Sequence, residues 1–138
     1  MGYGPAVIVD SSVLIEYLRS GSAPSADRID IELRAGRPIF LLPAVLQETL
    51  QGARNPEVFL RWSKVLGSFP ILTTASAGDT AFAAAGLYAR CHWAGFTPRS
   101  SNDCLIAISC IELNQSLLQR DRDFDVIAGI DPRLQLVA

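Results

Sequence analysis

Ala6-Val7-Ile8-Val9-Asp10-Ser11-Ser12-Val13-Leu14 turns from one kind of secondary structure to another within nine residues. The β-branched apolar run Ala6 to Val9 reads as a buried strand, and it ends on an acid, Asp10. Ser11 or Ser12 then caps a helix that runs to about Arg19. Its apolar residues Val13, Leu14, Tyr17 and Leu18 recur at helical spacing. Gly21 is expected to close it.

The same alternation continues outward. A second helix is expected from Ala23 to Ala35, with Ile29 and Leu33 four apart and Gly36 as its stop. Ile39 to Leu42 reads as a second strand. Pro43 suits a first helical turn, and Ala44 to Gln51 continues as helix up to Gly52. Pro56 opens another helix, with Val58, Phe59, Trp62, Val65 and Leu66 in register and Gly67 at its end. Phe69 to Leu72 is a third short strand, and Ser76 to about Ala94 a long Ala-rich helix. Ser100-Ser101-Asn102 caps a helix from Asp103 to Asn114. Ser116 to Gln119 is a fourth strand, Asp123 to Ala128 a short helix, and Leu134 to Val137 a last strand. Short apolar strands alternating with helices predict an α/β fold with a mostly parallel sheet covered on both faces. No internal repeat, linker or low-complexity stretch interrupts it, so residues 1–138 are expected to form a single domain.

Composition removes several function classes. Hydrophobic residues make up 49% and charged residues 19% of the 138, which excludes a disordered tail. No apolar run reaches the length of a spanning helix, and the N-terminus lacks the basic segment of a signal peptide, so no membrane association is expected. Three cysteines without a C-x-x-C pair fit a reducing, cytoplasmic setting. The one histidine, His92, rules out a two-imidazole ribonuclease and a two-His zinc site. It reads instead as a partly buried helix residue beside Trp93. Cys104, Cys110, Phe59, Trp62, Trp93 and Phe96 read as core. Eleven arginines accompany a single lysine, Lys64, and the net charge of −2 gives no polycationic character.

The acids carry the chemistry. Asp10 follows the first strand, Asp121 and Asp123 follow the fourth, and ligands in open α/β sheets bind beyond the carboxyl ends of strands. Glu48 lies one and a half turns into the helix after the second strand. Asp103 sits in the first turn of the helix feeding the fourth strand, which this reading places at the opposite end of the sheet. A tilted helix or an unusual loop would then be needed to bring it to the others. Taken singly, these are ordinary acids: a favourable helix-start charge at Asp103, turn residues at Asp121 and Asp123, a solvated helix acid at Glu48. Taken together, with no matching lysines, they repel one another unless a cation lies between them. Oxygen-only ligands suit Mg²⁺ or Mn²⁺, and such a site suits phosphoryl transfer.

Four segments resemble the motifs of PIN-domain ribonucleases. They are Val9-Asp10-Ser11-Ser12-Val13-Leu14-Ile15-Glu16, Leu46-Gln47-Glu48-Thr49-Leu50, Ser101-Asn102-Asp103-Cys104-Leu105-Ile106-Ala107 and Gln119-Arg120-Asp121-Arg122-Asp123-Phe124-Asp125. Their order and spacing are similar to those of the VapC toxins of type II toxin–antitoxin systems, over nearly the whole chain.

The resemblance implies a PIN-like three-layer α/β/α sandwich and an acidic pocket holding Mg²⁺ or Mn²⁺. It also implies endonucleolytic RNA cleavage, a VapB-type antitoxin as partner, and a homodimer. Carried over by position, Asp10, Glu48, Asp103 and Asp121 are the catalytic acids, and Asp10, Asp103, Asp121 and Asp123 the metal ligands. Asp103 is thereby expected to converge on the others. Ser12 matches a small hydroxyl residue that supports the first acid, while Gln119 departs from the Thr or His often found there. Arg19, Arg54, Arg99, Arg120 and Arg122 lie beside the motifs and are expected to hold RNA phosphates, with Arg99, Arg120 and Arg122 nearest the acids. Two alternatives stand beside this one: a PIN nuclease of RNA maturation or decay, and a non-catalytic Mg²⁺-binding receiver-type signalling domain. The latter wants a lysine after its last strand, whereas Lys64 lies mid-chain in a helix.

Overall fold

The computed structural model describes residues 6–19 and 24–137. In chain order the elements are β1 (Val7–Val9), α1 (Ser11–Arg19), α2 (Pro24–Arg34), β2 (Ile39–Phe40), α3 (Pro43–Gln51) and α4 (Pro56–Leu66). Then come α5 (Ala77–Trp93), α6 (Asn102–Glu112), β3 (Ser116–Leu118) and α7 (Arg122–Ile130). The stop expected at Gly21 and the helix start at Ala23 lie outside the described residues.

β1 is the centre of the sheet, with β2 on one side and β3 on the other, both parallel to it. Val7, Ile8 and Val9 are all buried, so both faces of this strand are covered by helices. Burying a side chain such as Ile8 contributes roughly 1.5–3 kcal/mol. The α/β expectation is met.

Two of the expected strands shrink to single bridges. Phe69 to Leu72 contributes only the pairing of Ile71 with Leu41 beside β2. The preceding Pro70 has no N–H to extend a ladder, although its carbonyl accepts from Leu41 N at 3.0 Å. Leu134 to Val137 contributes only the pairing of Leu136 with Leu117, outside β3. The sheet edges are thus short, which leaves little unpaired backbone to template aggregation.

Helix boundaries follow local chemistry. Asn55 caps α4 by accepting from Val58 N at 2.9 Å, and Ser76 caps α5 by accepting from Asp79 N at 3.2 Å. Just past the end of α2 the chain turns at Gly36, whose φ of +76° is the left-handed conformation that glycine adopts without strain. Asp121 caps α7, which runs to Ile130 and is longer than the Asp123–Ala128 expected.

Cys91, Cys104 and Cys110 are free and buried in the core, as expected of the last two. Trp62 is buried as well, and Phe96 packs against the core. Trp93 and Phe59 depart from expectation: they are 78% and 49% exposed. His92 is exposed too, rather than partly buried. For Trp93 and His92 the cause is rotation about α5. That helix buries Thr80, Ala84, Leu87 and Cys91, and this face leaves His92 and Trp93 turned outward.

Candidate metal centre

The carboxyl ends of β1 and β3 bring the first acids together. Asp10 leaves β1 and is 4% exposed. Its Oδ2 accepts from the Ser12 hydroxyl at 2.7 Å and from Ser12 N at 3.2 Å. The same hydroxyl oxygen accepts from Arg120 N at 3.3 Å, so Ser12 ties the loop after β3 to the acid after β1. Burial pushes the Asp10 carboxyl up, the Ser12 bonds pull it back, and Asp121 pushes it further up.

Asp103 does not lie at the far end of the sheet, and the expectation of a misplaced acid is corrected. A crossover helix that runs antiparallel to the strands starts where the strands end. The first turn of α6 therefore sits at the same edge as Asp10 and Asp121, with no unusual loop. Asp103 is 4% exposed, and its Oδ2 has no hydrogen-bond partner. Burial first, and then the charges of Asp10, Asp121, Glu48 and Asp123, push its carboxyl up to about 7.

Asp121 and Asp123 complete the group. One carboxylate oxygen from each of Asp103, Asp121 and Asp123 lies within 4.8 Å of the other two. Asp121 Oδ1 accepts from Asp123 N at 3.0 Å, and Asp121 N donates to Gln119 Oε1 at 2.5 Å. Gln119, where the motif departs from its usual residue, thus still holds the turn.

Glu48 approaches from α3. The Ser11 hydroxyl donates to its Oε2 at 3.5 Å, and its buried Oε1 has no partner. Burial raises the Glu48 carboxyl, opposed by a hydrogen bond from the Asn102 side chain and assisted by the Asp10 charge. Ser11 and Asn102 were expected only as capping residues. The Ser101 side chain at the start of α6 makes no cap bond, and Asn102 turns to Glu48 instead. Their places next to Asp10 and Asp103 were the available signal.

The three arginines differ. Arg99 is bound to the acids: its Nη2 donates to Asp121 Oδ1 at 2.6 Å, its Nε to Asp123 Oδ2 at 3.3 Å, and its backbone N to the same oxygen at 2.9 Å. Arg120 pairs with Glu16. Arg122 is exposed and makes no ion pair among the described residues. All three line an open cleft of about 460 Å³ beside Asp121, together with Ser12, Ile15, Glu16 and Arg19 of α1.

Arg99 offsets part of the charge on Asp121 and Asp123, but Asp103, with an orphaned buried oxygen and a carboxyl near 7, has no cationic partner among the described residues. The donor set is all oxygen, and it fits a hard divalent cation. No described helix is long and apolar enough to cross a membrane.

The PIN-domain family profile matches residues 7–130. The chain is 34% identical over 125 residues to the VapC ribonuclease Mb1587 of Mycobacterium bovis, covering 90% of this chain and 92% of that one. The figures are the same for Ribonuclease VapC11 of Mycobacterium tuberculosis. The crystal structure of VapBC2 from Rickettsia felis, bound to a DNA fragment from their promoter, superposes with a TM-score of 0.76. That alignment covers 96% of this chain and 97% of the other at 19% identity, and it shows the shared fold. By fold and by sequence, then, this chain belongs to the PIN-domain family, among the VapC ribonucleases.

Proposed function

We propose that the protein is a metal-dependent endoribonuclease acting as the toxin of a type II toxin–antitoxin pair. The observation that carries this reading is the meeting of Asp103, Asp121 and Asp123 oxygens within 4.8 Å, beside Asp10, with Asp103 Oδ2 orphaned. In this reading Asp10, Asp103, Asp121 and Asp123 hold Mg²⁺ or Mn²⁺, and Glu48 stands beside them. Such a cation, when bound, acidifies a water and offsets charge on the phosphate oxygens.

The chain's own residues supply the rest. Asp103 gives up its proton to bind a cation. Glu48, raised by burial and with Oε1 unpartnered, is placed to hold a proton at that oxygen. Ser11 and Asn102 orient Glu48, and Ser12 fixes Asp10. Arg99, Arg120 and Arg122 face the incoming phosphates. No side-chain nucleophile is required, which suits a chain with one exposed histidine. The cognate partner is an antitoxin of the VapB type, and the protein works as a homodimer in the cytoplasm, where its three free thiols stay reduced.

Purified protein incubated with RNA should cleave it with Mg²⁺ or Mn²⁺ and stop in EDTA; cleavage persisting in EDTA would overturn the metal role. Asp10→Asn, Asp103→Asn and Asp121→Asn should each abolish cleavage and leave the fold intact. Expression without an antitoxin should arrest growth, and Asp10→Asn should not.

A further inference from the structure

Where α1 meets α4 and the turn after α3 lies a second pocket, of about 320 Å³. Three arginines line it, Arg19, Arg54 and Arg61, and no acid does. Among the described residues none of these arginines has a carboxylate partner, whereas Arg37, Arg90, Arg99, Arg120 and Arg133 each do. Three like charges held together without a counterion repel one another. The pocket also contains Trp62, 4% exposed, whose indole Nε1–H is buried with no acceptor. Every polar side chain in the lining is a donor.

Arg19 lines this pocket and also the open cleft beside Asp121. Ser12, Ile15, Glu16 and Arg19 form one stripe along α1, from the end of β1 to the end of the helix. At 1.5 Å per residue the path from Ser12 to Arg19 is about 10 Å. Glu16, the acid on this stripe, is paired with Arg120, so an extended polyanion leaving the metal-site acids can follow the stripe to the three arginines.

We propose that Arg19, Arg54 and Arg61, over the buried Trp62 side chain, form a second phosphate site for the backbone of single-stranded RNA, to one side of the cleaved bond. This rests on the ribonuclease reading above, and it makes substrate length a determinant of affinity. Guanidinium suits phosphate because its planar fork donates two parallel hydrogen bonds. An acidic segment of a protein partner is the competing occupant. Continuity with the cleft beside Asp121 favours RNA.

The test uses full-length protein on the inactive Asp10→Asn background, in Ca²⁺, with oligouridylates of three and twelve nucleotides. The arginines are exposed, so Arg54→Gln with Arg61→Gln should leave the fold unchanged. The double variant should bind the twelve-mer about tenfold more weakly, with the salt slope smaller by about 0.7 for each phosphate no longer held. Affinity for the three-mer should not change. Arg54→Lys with Arg61→Lys should restore most of the slope. The Trp62 indole N–H resonance, identified as the one that survives Trp93→Phe, should shift with the twelve-mer and not with the three-mer.

An unchanged slope and a still Trp62 resonance, in a protein whose parent cleaves RNA, would overturn the phosphate site and leave the ribonuclease reading standing. Intact RNA binding with lost affinity for an oligoglutamate peptide would also overturn it, and assign the pocket to a protein partner. A parent that neither binds nor cleaves RNA removes both.

Discussion

Arg99 Nη2 lies 2.6 Å from Asp121 Oδ1, so a guanidinium already rests on the carboxylate group expected to bind a metal. Its Nε and backbone N both reach Asp123 Oδ2. Arg99 therefore serves as an internal counter-cation when no other is present, and its charge is only partly available to RNA.

Replacing Arg99 with Gln should tighten divalent-cation binding severalfold, because one competing charge is removed. It should weaken RNA binding at the same time. Calorimetric titration with Mn²⁺, set beside RNA binding on the inactive background, reads both. Weaker metal binding would mean that Arg99 positions Asp121 and Asp123 rather than competing for them.

Asp103 gives the pH dependence. Its carboxyl stands near 7 in the folded, metal-free protein and near 3.8 as a free side chain. The folded state thus holds a proton that the unfolded state releases earlier. The resulting stability is complete below about pH 4 and is lost as pH rises to about 7. Asp103→Asn should remove this decline. Its melting temperature without metal should match the parent at pH 4 and exceed it by several degrees at pH 8. A variant less stable at both values would make Asp103 a structural residue.

Metal binding has the opposite slope. Asp103 must lose its proton to act as a ligand, so apparent affinity should rise up to tenfold per pH unit below about 7 and level off above. Titrations between pH 5.5 and 8 check this, and a flat profile would exclude Asp103 from the ligand set.

Ser12→Ala removes the hydroxyl that donates to Asp10 and accepts from Arg120 N. Loss of a group that orients a ligand typically costs about 10–100-fold in metal affinity or activity. Ser12→Thr, which keeps the hydroxyl, should retain most of the rate. A full rate in Ser12→Ala would show that Asp10 is held well enough by Ser12 N alone.

Asp131 is the acid to contrast with these. Buried at the end of α7, it accepts from Arg133 Nη2 at 2.7 Å and Nε at 2.9 Å, and from Arg90 Nη2 at 3.1 Å. Those bonds hold its carboxyl far below the usual range, with the Arg133 bond the largest cause. Its stabilisation is present above about pH 4 and is lost as pH falls further. Asp131→Ala should destabilise the fold by about 2–3 kcal/mol in denaturant titrations. Specific cleavage per folded molecule should not change.

The parallel architecture is legible in the sequence because β1 is uniformly β-branched and apolar. Glycine and proline also punctuate the helices where the chain stops them. The edge strands are shorter than pattern suggests: apolar residues at 69–72 and 134–137 serve packing, and strand pairing there is limited by Pro70 and by a short approach. Asp10, Asp121 and Asp123 are legible as strand-end acids. Asp103 carries an equal signal, and only the direction of the crossover helix, taken the wrong way round, sets it apart from them. Asn102 and Ser11 look like caps because their bonds to Glu48 join residues far apart in the chain, and local pattern has no access to such contacts. Trp93 differs from expectation for the same reason: an aromatic residue at a helix end carries no mark of which way it faces.

The sheet order β2-β1-β3 puts the first strand in the middle and the last strand against it. Asp10 is made early in synthesis, but Asp121 and Asp123 reach it only once β3 has paired with β1, more than a hundred residues later. A nascent chain that has emerged only as far as α5 holds two of the five acids, on α1's threshold and on α3, with nothing opposite them. The topology thereby sets an order of assembly: the acid centre cannot form until β3 has been made and has paired with β1.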